Sequence, residues 1–456
     1  MDTAVLSMLS YIRLLPYELL REIFLYYLEA AAHLYPTPKL LPPLLLGQIC
    51  STWRHVVHST PKLWTRFSLD IRNKVKEGRV DHVSFAKAWL SRAHPYPLDI
   101  SLSVRTKALN HIVDAILPCA DRLRVIDLRL PFPHFQPLVD AGSMALLESV
   151  NLSVTSDCGR EPTFWVRRIT AFTTASRLRS VTISSSHRWA LLRSRRGRLF
   201  GSGIQMPWSQ LTELHIDESC ESADTFRDAF LQCTNLVNCT LFMCTWEGGT
   251  VIPDVPTVVL SHLRKLEVTF SGTGHSFPFF QPLNLPALKD LTVATTNWCV
   301  WSHQIFMGFT LRSSLDLERL SFKQVEIRSH ELLQFLGHMH SLVELEIEFP
   351  RCIGRVFDAL FYREMDSQHL IPKLEILRFF EAWHNPIDDD CVANAIESRW
   401  WTDDAPRMVS RLKRVDIVYD SEGINSRVWE RLEHCRQEGL VLNLHWVQDS
   451  LIMSVL

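Results

Sequence analysis

One six-residue phrase recurs through most of this chain: a leucine, two variable residues, an apolar residue, one variable residue and a second apolar residue. It reads "LRVIDL" at Leu123, "LESVNL" at Leu147, "LRSVTI" at Leu178, "LTELHI" at Leu211, "LVNCTL" at Leu236 and "LRKLEV" at Leu263. It continues as "LKDLTV" at Leu288, "LERLSF" at Leu317, "LVELEI" at Leu342, "LEILRF" at Leu374 and "LKRVDI" at Leu412. From Leu123 to Leu412 is 289 residues over ten intervals, 28.9 on average, with spacings of 24 to 38. Hydrophobic residues make up 46% of the chain, so three specified apolar positions match by chance at about one site in ten. The ordered recurrence therefore carries the inference, and a period of this length is the mark of a repeat architecture.

In an extended segment, alternate side chains face opposite ways. In "LVELEI" Leu345 and Ile347 share one face, and Glu344, Glu346 and then Glu348 share the other. Segments with helical spacing, such as "RSHELLQFLGHM", lie between the phrases. The pattern resembles a leucine-rich repeat array in irregular form, each unit a strand followed by a helix or loop. The asparagine or cysteine usual after the third apolar position is mostly missing. Scattered strands in an ordinary α/β domain are the other reading of the same residues. The resemblance implies a curved parallel sheet, about 50 Å along its arc at roughly 4.8 Å per strand, whose concave wall suits protein binding. Upstream, "DHVSFAKAWLSRA" predicts a helix with Val83, Ala86 and Leu90 on one side, stopped by Pro95 and Pro97. The alternating "LDISLSV" from Leu98 then predicts a strand, and the pair is expected to cap the array.

Near the N-terminus, "LLPYELLREIFLYYL" carries Pro16 in a first helical turn, Glu18 at the positive helix end, and a broad apolar stripe of Leu19, Leu20, Ile23, Phe24, Tyr27 and Leu28. Four prolines in "EAAAHLYPTPKLLPP" break that helix. A second helix is predicted with Ile49, Cys50, Trp53, Val56 and Val57 on one side, ended by Pro61, with Leu63 and Trp64 directly after. Helices this short make a marginal core alone and need support from a neighbour or a partner.

These residues resemble the F-box. The match runs over Leu15, Pro16, Glu18, Leu19, Leu20, Ile23 and Phe24, then Cys50, Trp53, Pro61, Leu63 and Trp64. It extends into "WLSRAHPYPLDISL", similar to the segment after the F-box in fungal F-box proteins with leucine-rich repeats, and spans roughly residues 12 to 104. The spacer from Leu28 to Pro43 is longer and richer in proline than the common pattern. The resemblance implies the substrate-receptor subunit of an SCF (Skp, cullin, F-box) ubiquitin ligase. Such a subunit binds the Skp adaptor, and through it cullin, at its F-box, and holds an unidentified protein target on its repeats. On that reading Leu15, Pro16, Leu19 and Ile23 lie at or beneath the adaptor surface, with Trp53, Leu63 and Trp64 completing it. Truncating Trp64 or Leu15 would then cost adaptor binding roughly 2 kcal/mol or more. The alternative is a repeat scaffold with no ligase role, its helices merely an N-terminal cap.

No other chemistry stands out. "SGTGHSF" near Gly272 lacks a third glycine, and no "GK[ST]" occurs. Cys220, Cys233, Cys239 and Cys244 lack zinc-pair spacing, and Cys239 falls on an inward strand position. His338 and His340 flank Met339 in an expected turn. The charge of −2 offers no footprint for nucleic acid, no run long enough for a membrane span is present, and the eleven cysteines suit a reducing cytoplasm or nucleus better than a disulfide framework. An insertion, "RWALLRSRRGRLF", gathers Arg188, Arg193, Arg195, Arg196 and Arg198, which reads as a solvated loop, a nuclear-import address or a clamp for an acidic or phosphorylated target. Glu344, Glu346 and Glu348 would suit a basic target segment, or form a wetted face. The expectation is an α/β protein with no enzymatic activity and no cofactor. A three-helix F-box over 10–70 is followed by a linker helix and capping repeat over 71–122, and an irregular leucine-rich-repeat solenoid over 123–456.

Overall fold

The structure is a computed structural model that describes residues 15–34, 42–71, 81–104, 111–155, 168–185, 204–217, 229–243, 257–270, 277–296, 301–348, 354–365, 368–380, 389–403, 407–419 and 426–446. The chain divides into two compact units, Met1–Gln210 and Leu211–Leu456. This boundary falls within the stretch expected to hold the repeats.

Unit one begins with helices α1 (Tyr17–Leu34), α2 (Pro42–Gly47) and α3 (Ser51–Ser59), a 3-10 turn over Pro61–Trp64, and later α4 (His82–Arg92). Its strands are β1 (Arg66–Ile71), β2 (Leu98–Val104), β3 (Leu123–Pro131), β4 (Ser149–Thr155) and β5 (Ser180–Ser185), each parallel to the next. Beyond β2 its described connections are 3-10 segments, such as Phe132–Asp140 and Ala171–Thr174.

Unit two holds β6 (Glu213–Asp217), β7 (Asn238–Met243), β9 (Lys265–Phe270), β11 (Asp290–Thr295), β12 (Arg319–Lys323), β13 (Glu344–Glu348), β14 (Ile376–Phe380), β15 (Arg414–Tyr419) and β16 (Val441–Trp446), all parallel and paired in that order. The two-residue strands β8 (Val258–Val259) and β10 (Leu283–Asn284) pair separately. Helices α5 (His303–Ser313), α6 (Ser329–Leu336), α7 (Gly354–Leu360), α8 (Asp389–Ser398) and α9 (Ser426–Gln437) supply the crossovers of the later repeats.

Each of the eleven phrases runs into a strand that carries its second and third apolar positions, and all three apolar positions are buried in every case. Register follows the phrase: Leu266 faces Leu291, Leu291 faces Leu320, Leu320 faces Leu345 and Leu345 faces Leu377. Like side chains thus stack into continuous inward columns, so each repeat closes the apolar side of its neighbour. The backbone repeats too. Glu318 O accepts from the Val343 and Glu344 amides at 2.8 and 3.0 Å, and Val343 O accepts from those of Glu375 and Ile376 at 2.9 and 3.0 Å.

One more position belongs to the repeat than the sequence phrase contains. Three residues before the leading leucine lies a buried apolar residue, as at Met144, Cys233, Leu260, Leu285, Met339 and Ile371. Its carbonyl accepts the leucine amide across a tight turn, at 3.0 Å for Met144 and 3.3 Å for Met339. Before Leu317 this place falls to Ser314, an exposed left-handed residue (φ 47°) that closes the C-terminus of α5. Left-handed backbone costs an L-residue roughly 1 kcal/mol that glycine is spared. Ser314→Gly is therefore expected to stabilise unit two by about 0.5–1 kcal/mol, read as a higher thermal midpoint.

In unit two the crossovers meet the inward columns in an aromatic layer. Phe306 of α5 stands 5.3 Å from Phe280, 5.8 Å from Phe322 of β12 and 5.1 Å from Phe335 of α6, ring centre to ring centre. All four rings are buried, at roughly 2–3 kcal/mol of transfer free energy each.

Candidate protein-docking surface

The N-terminal helices turn one apolar face into their own core and leave another bare. On α1, Leu20 and Phe24 are buried, and Phe24 packs its ring 4.8 Å from that of Trp53 on α3. The four-residue step that brings Leu20 to Phe24 also carries Leu19 to Ile23 and on to Tyr27, one position round the helix. That second row faces away: Leu19 is 51% exposed, Ile23 50% and Tyr26 beside them 75%. Tyr17 and Tyr27 are exposed as well, as are Leu45 of α2 and Ile49 after it. No polar requirement explains a row of exposed aliphatic and aromatic side chains on one short helical module, and such rows mark interaction sites.

The expected site residues part company here. Leu15 is half-buried, Pro16 is exposed, and the Pro16 carbonyl accepts the Leu20 amide at 3.1 Å as α1 begins. Leu19 and Ile23 lie on the open face, whereas Trp53 is half-buried between the helices. Leu63 and Trp64, expected to complete the docking surface, do not belong to it. Leu63 is 2% exposed and Trp64 0%.

The physical reason is that Trp64 forms the hinge of the module with the sheet. Its indole N–H donates to Val57 O at 2.9 Å, and its own carbonyl accepts the Trp89 indole N–H at 2.8 Å. The two indoles meet edge to face at 4.7 Å, and Phe67 of β1 lies 5.8 Å from Trp89. Strand β1 leaves directly after this turn, so the helices are welded to the first strand of unit one. Cys50 caps α3, its sulfur accepting the Trp53 amide at 3.4 Å. Tyr17, Tyr26, Leu45 and Ile49 were not among the expected docking residues, yet all four are exposed; a helical wheel that separates the row through Leu20 from the row through Leu19 would have shown Tyr26, whereas Tyr17 falls on the side of Phe24.

The outward face of unit two is polar along its middle row: Glu267, Thr292, Ser321, Glu346, Arg378, Asp416 and Asn443 stand on successive strands. Glu344, Glu346 and Glu348 do share this face, yet they are not a bare acidic strip. Glu344 pairs with Arg378; Glu346 takes Lys323 at 3.3 Å and the Ser321 hydroxyl at 2.8 Å; Glu348 accepts from Gln324 at 3.5 Å. Burial pushes the Glu348 carboxyl up, with Glu346 adding to the rise. Burial likewise works to raise Asp416, but hydrogen bonds from Arg414, Asn443 and Arg378 outweigh it and hold that carboxyl below its ordinary range. The face is a charge-balanced lattice, which corrects the expectation of an acidic row open to a basic target. Arg193, Arg195 and Arg196 lie outside the described residues, as do Cys220 and Cys244.

Burial pushes the Cys233 thiol up to about 12 and that of Cys239 well above its ordinary value, so both are inert core residues. Among the described residues no group of His, Cys, Asp and Glu is arranged to hold a metal ion, and no helix is long and apolar enough to cross a membrane. No model of a known protein family matches the chain, and no curated protein matches it.

Proposed function

We propose that this chain is a protein-recognition adaptor, the substrate receptor of an SCF-type ubiquitin ligase. Its N-terminal helices would bind a Skp adaptor and its repeats would hold a protein target. One observation supports this above the rest: α1 buries Leu20 and Phe24 but leaves Leu19, Ile23 and Tyr27 to solvent on the face beside them. That face coincides with F-box positions of the sequence resemblance at Leu19 and Ile23. The outward row of polar side chains, held at strand spacing, suits a protein target, because it offers many hydrogen-bonding sites spread over successive strands.

Leu19 and Ile23 sit where a partner can reach them without unfolding anything. Truncation of either to alanine is expected to weaken adaptor binding by roughly 2 kcal/mol or more, about thirtyfold, with the thermal midpoint unmoved. Copurification of adaptor and cullin with the wild-type chain, lost in the Leu19→Asp/Ile23→Asp variant, is the test. Equal recovery of both subunits by the two forms would refute the assignment.

A further inference from the structure

We infer that the target is held on the outward face of β14–β16 by an uncharged segment carrying two apolar side chains about 13 Å apart. This rests on the reading of the repeats as the target-holding part, and adds the place and the chemistry of the contact.

Apolar side chains at outward positions of unit two gather at one end of the sheet. On this face β12 shows Arg319, Ser321 and Lys323, and β13 its three glutamates, whereas β14 shows Ile376 and Phe380 on either side of Arg378. β15 sets Val418 beside Phe380, and β16 sets Val441 beside Arg414. Ile376, Phe380 and Val418 are half-buried, and Val441 is 51% exposed. On the strands before β12, the described outward positions are apolar at Phe242 and Ala294 alone, which stand two strands apart. The core does not call for the apolar group on β14 and β15, since Leu377, Phe379, Val415 and Ile417 fill it from the other face of the same strands.

The charges set among these residues are matched to one another. Arg378 pairs with Glu344 and, at 3.2 Å, with Asp416. Asp416 also accepts from Arg414 at 2.8 Å and from the Asn443 amide at 2.6 Å. It is 8% exposed although it stands on the outward face, so it gave up most of its water when the sheet formed. A neutral segment laid over this network strands no charge and adds little desolvation cost. A charged side chain brought here would lose its water against groups whose counter-charges are already engaged.

The spacing sets the length of the contact. Ile376 and Phe380 lie four residues apart, about 13 Å at the rise of a strand, and Val418 widens the second spot by one strand. An extended segment of the target reaches both spots with its residues i and i+4. A few apolar anchors of this kind carry most of the energy of a protein interface.

Selection of a random 12-residue peptide library, displayed on phage, against the full chain tests this. Recovered peptides should carry no net charge and apolar residues four apart. As synthetic peptides they should bind Phe380→Ser/Val418→Ser about tenfold or more weakly than wild type. Val441→Asp, at an exposed position where folding is not at stake, should weaken them about threefold or more, and it decides the matter if the double variant loses amide protection in β14. Peptides that share a net charge, or neutral ones bound equally by wild type and Val441→Asp, would overturn the assignment to this face. Recovery of no peptide above the background of an unrelated protein would overturn the reading of the repeats as a target-holding surface.

Discussion

Trp64→Ala should loosen the whole N-terminal module by roughly 3–5 kcal/mol, the range for removing a fully buried tryptophan. The indole fills the junction between α3, the turn after it and Trp89, and its N–H is the donor to Val57 O. Truncation empties that junction, leaves Val57 O with only the longer bond from the Thr60 amide at 3.4 Å, and removes the surface on which His58 and Arg92 stack. Amide exchange in α1 and α3 should accelerate about 100-fold or more, while exchange in the strands of unit two stays as it was. Adaptor binding would fall as a consequence, so this variant differs from Leu19→Ala, which should bind poorly while remaining folded. Unchanged protection in α3 would contradict the assignment of Trp64 to the core.

Arg399→Ala should be comparably severe in unit two. Arg399 is 1% exposed, yet among the described residues its bonding partners are backbone carbonyls and no carboxylate. Its guanidinium donates to Leu360 O at 2.7 Å, Ile371 O at 2.9 Å and Leu370 O at 2.6 Å. It thereby ties the end of α8 to the end of α7 and to the turn ahead of β14, where Ile371 holds a left-handed backbone (φ 49°) that a β-branched residue resists. Burial lowers its pKa to about 10, which keeps it charged at neutral pH. Removal strands the Leu360 and Leu370 carbonyls and leaves Ile371 O with the Leu374 amide alone, at 3.3 Å; each unpaired interior carbonyl costs roughly 1–3 kcal/mol, so a loss of about 3 kcal/mol or more is expected. Lysine cannot reach three acceptors lying in different directions and should recover only part of this. Exchange in β14 and β15 is the readout; wild-type protection in Arg399→Ala would show that water replaces the guanidinium at no cost.

Much of the fold was legible in the sequence because one periodicity governs it. Alternation within "LVELEI" and its ten counterparts correctly gives the buried columns, and aligning the phrases gives the register. Besides the two-residue β8 and β10, two strands of the parallel series escaped. In β16 the inward Leu442 stands two residues, not three, after Leu440, so the phrase is broken although Leu442 still faces Val415. In β1 no leading leucine stands three residues before the inward Phe67, because the place is taken by Trp64 and the turn that carries the helices.

The surface was less legible, since a side chain's neighbours across strands are remote in sequence. Glu344 and Arg378 are 34 residues apart, and Lys323 and Glu346 are 23; only the parallel register brings them together. For Trp64, bulk and position suggest an anchor on a partner. What decides otherwise is a contact with Trp89, 25 residues later.

Side-chain footprinting of the chain, free and mixed with excess Skp adaptor, probes the account at its centre. Leu19, Ile23, Tyr26, Tyr27, Leu45 and Ile49 should be labelled freely in the chain alone and protected in the mixture, with Leu63 and Trp64 unlabelled in both. If those six are already shielded in the isolated chain, or remain fully reactive in a formed complex, the open face of α1 is not where an adaptor binds.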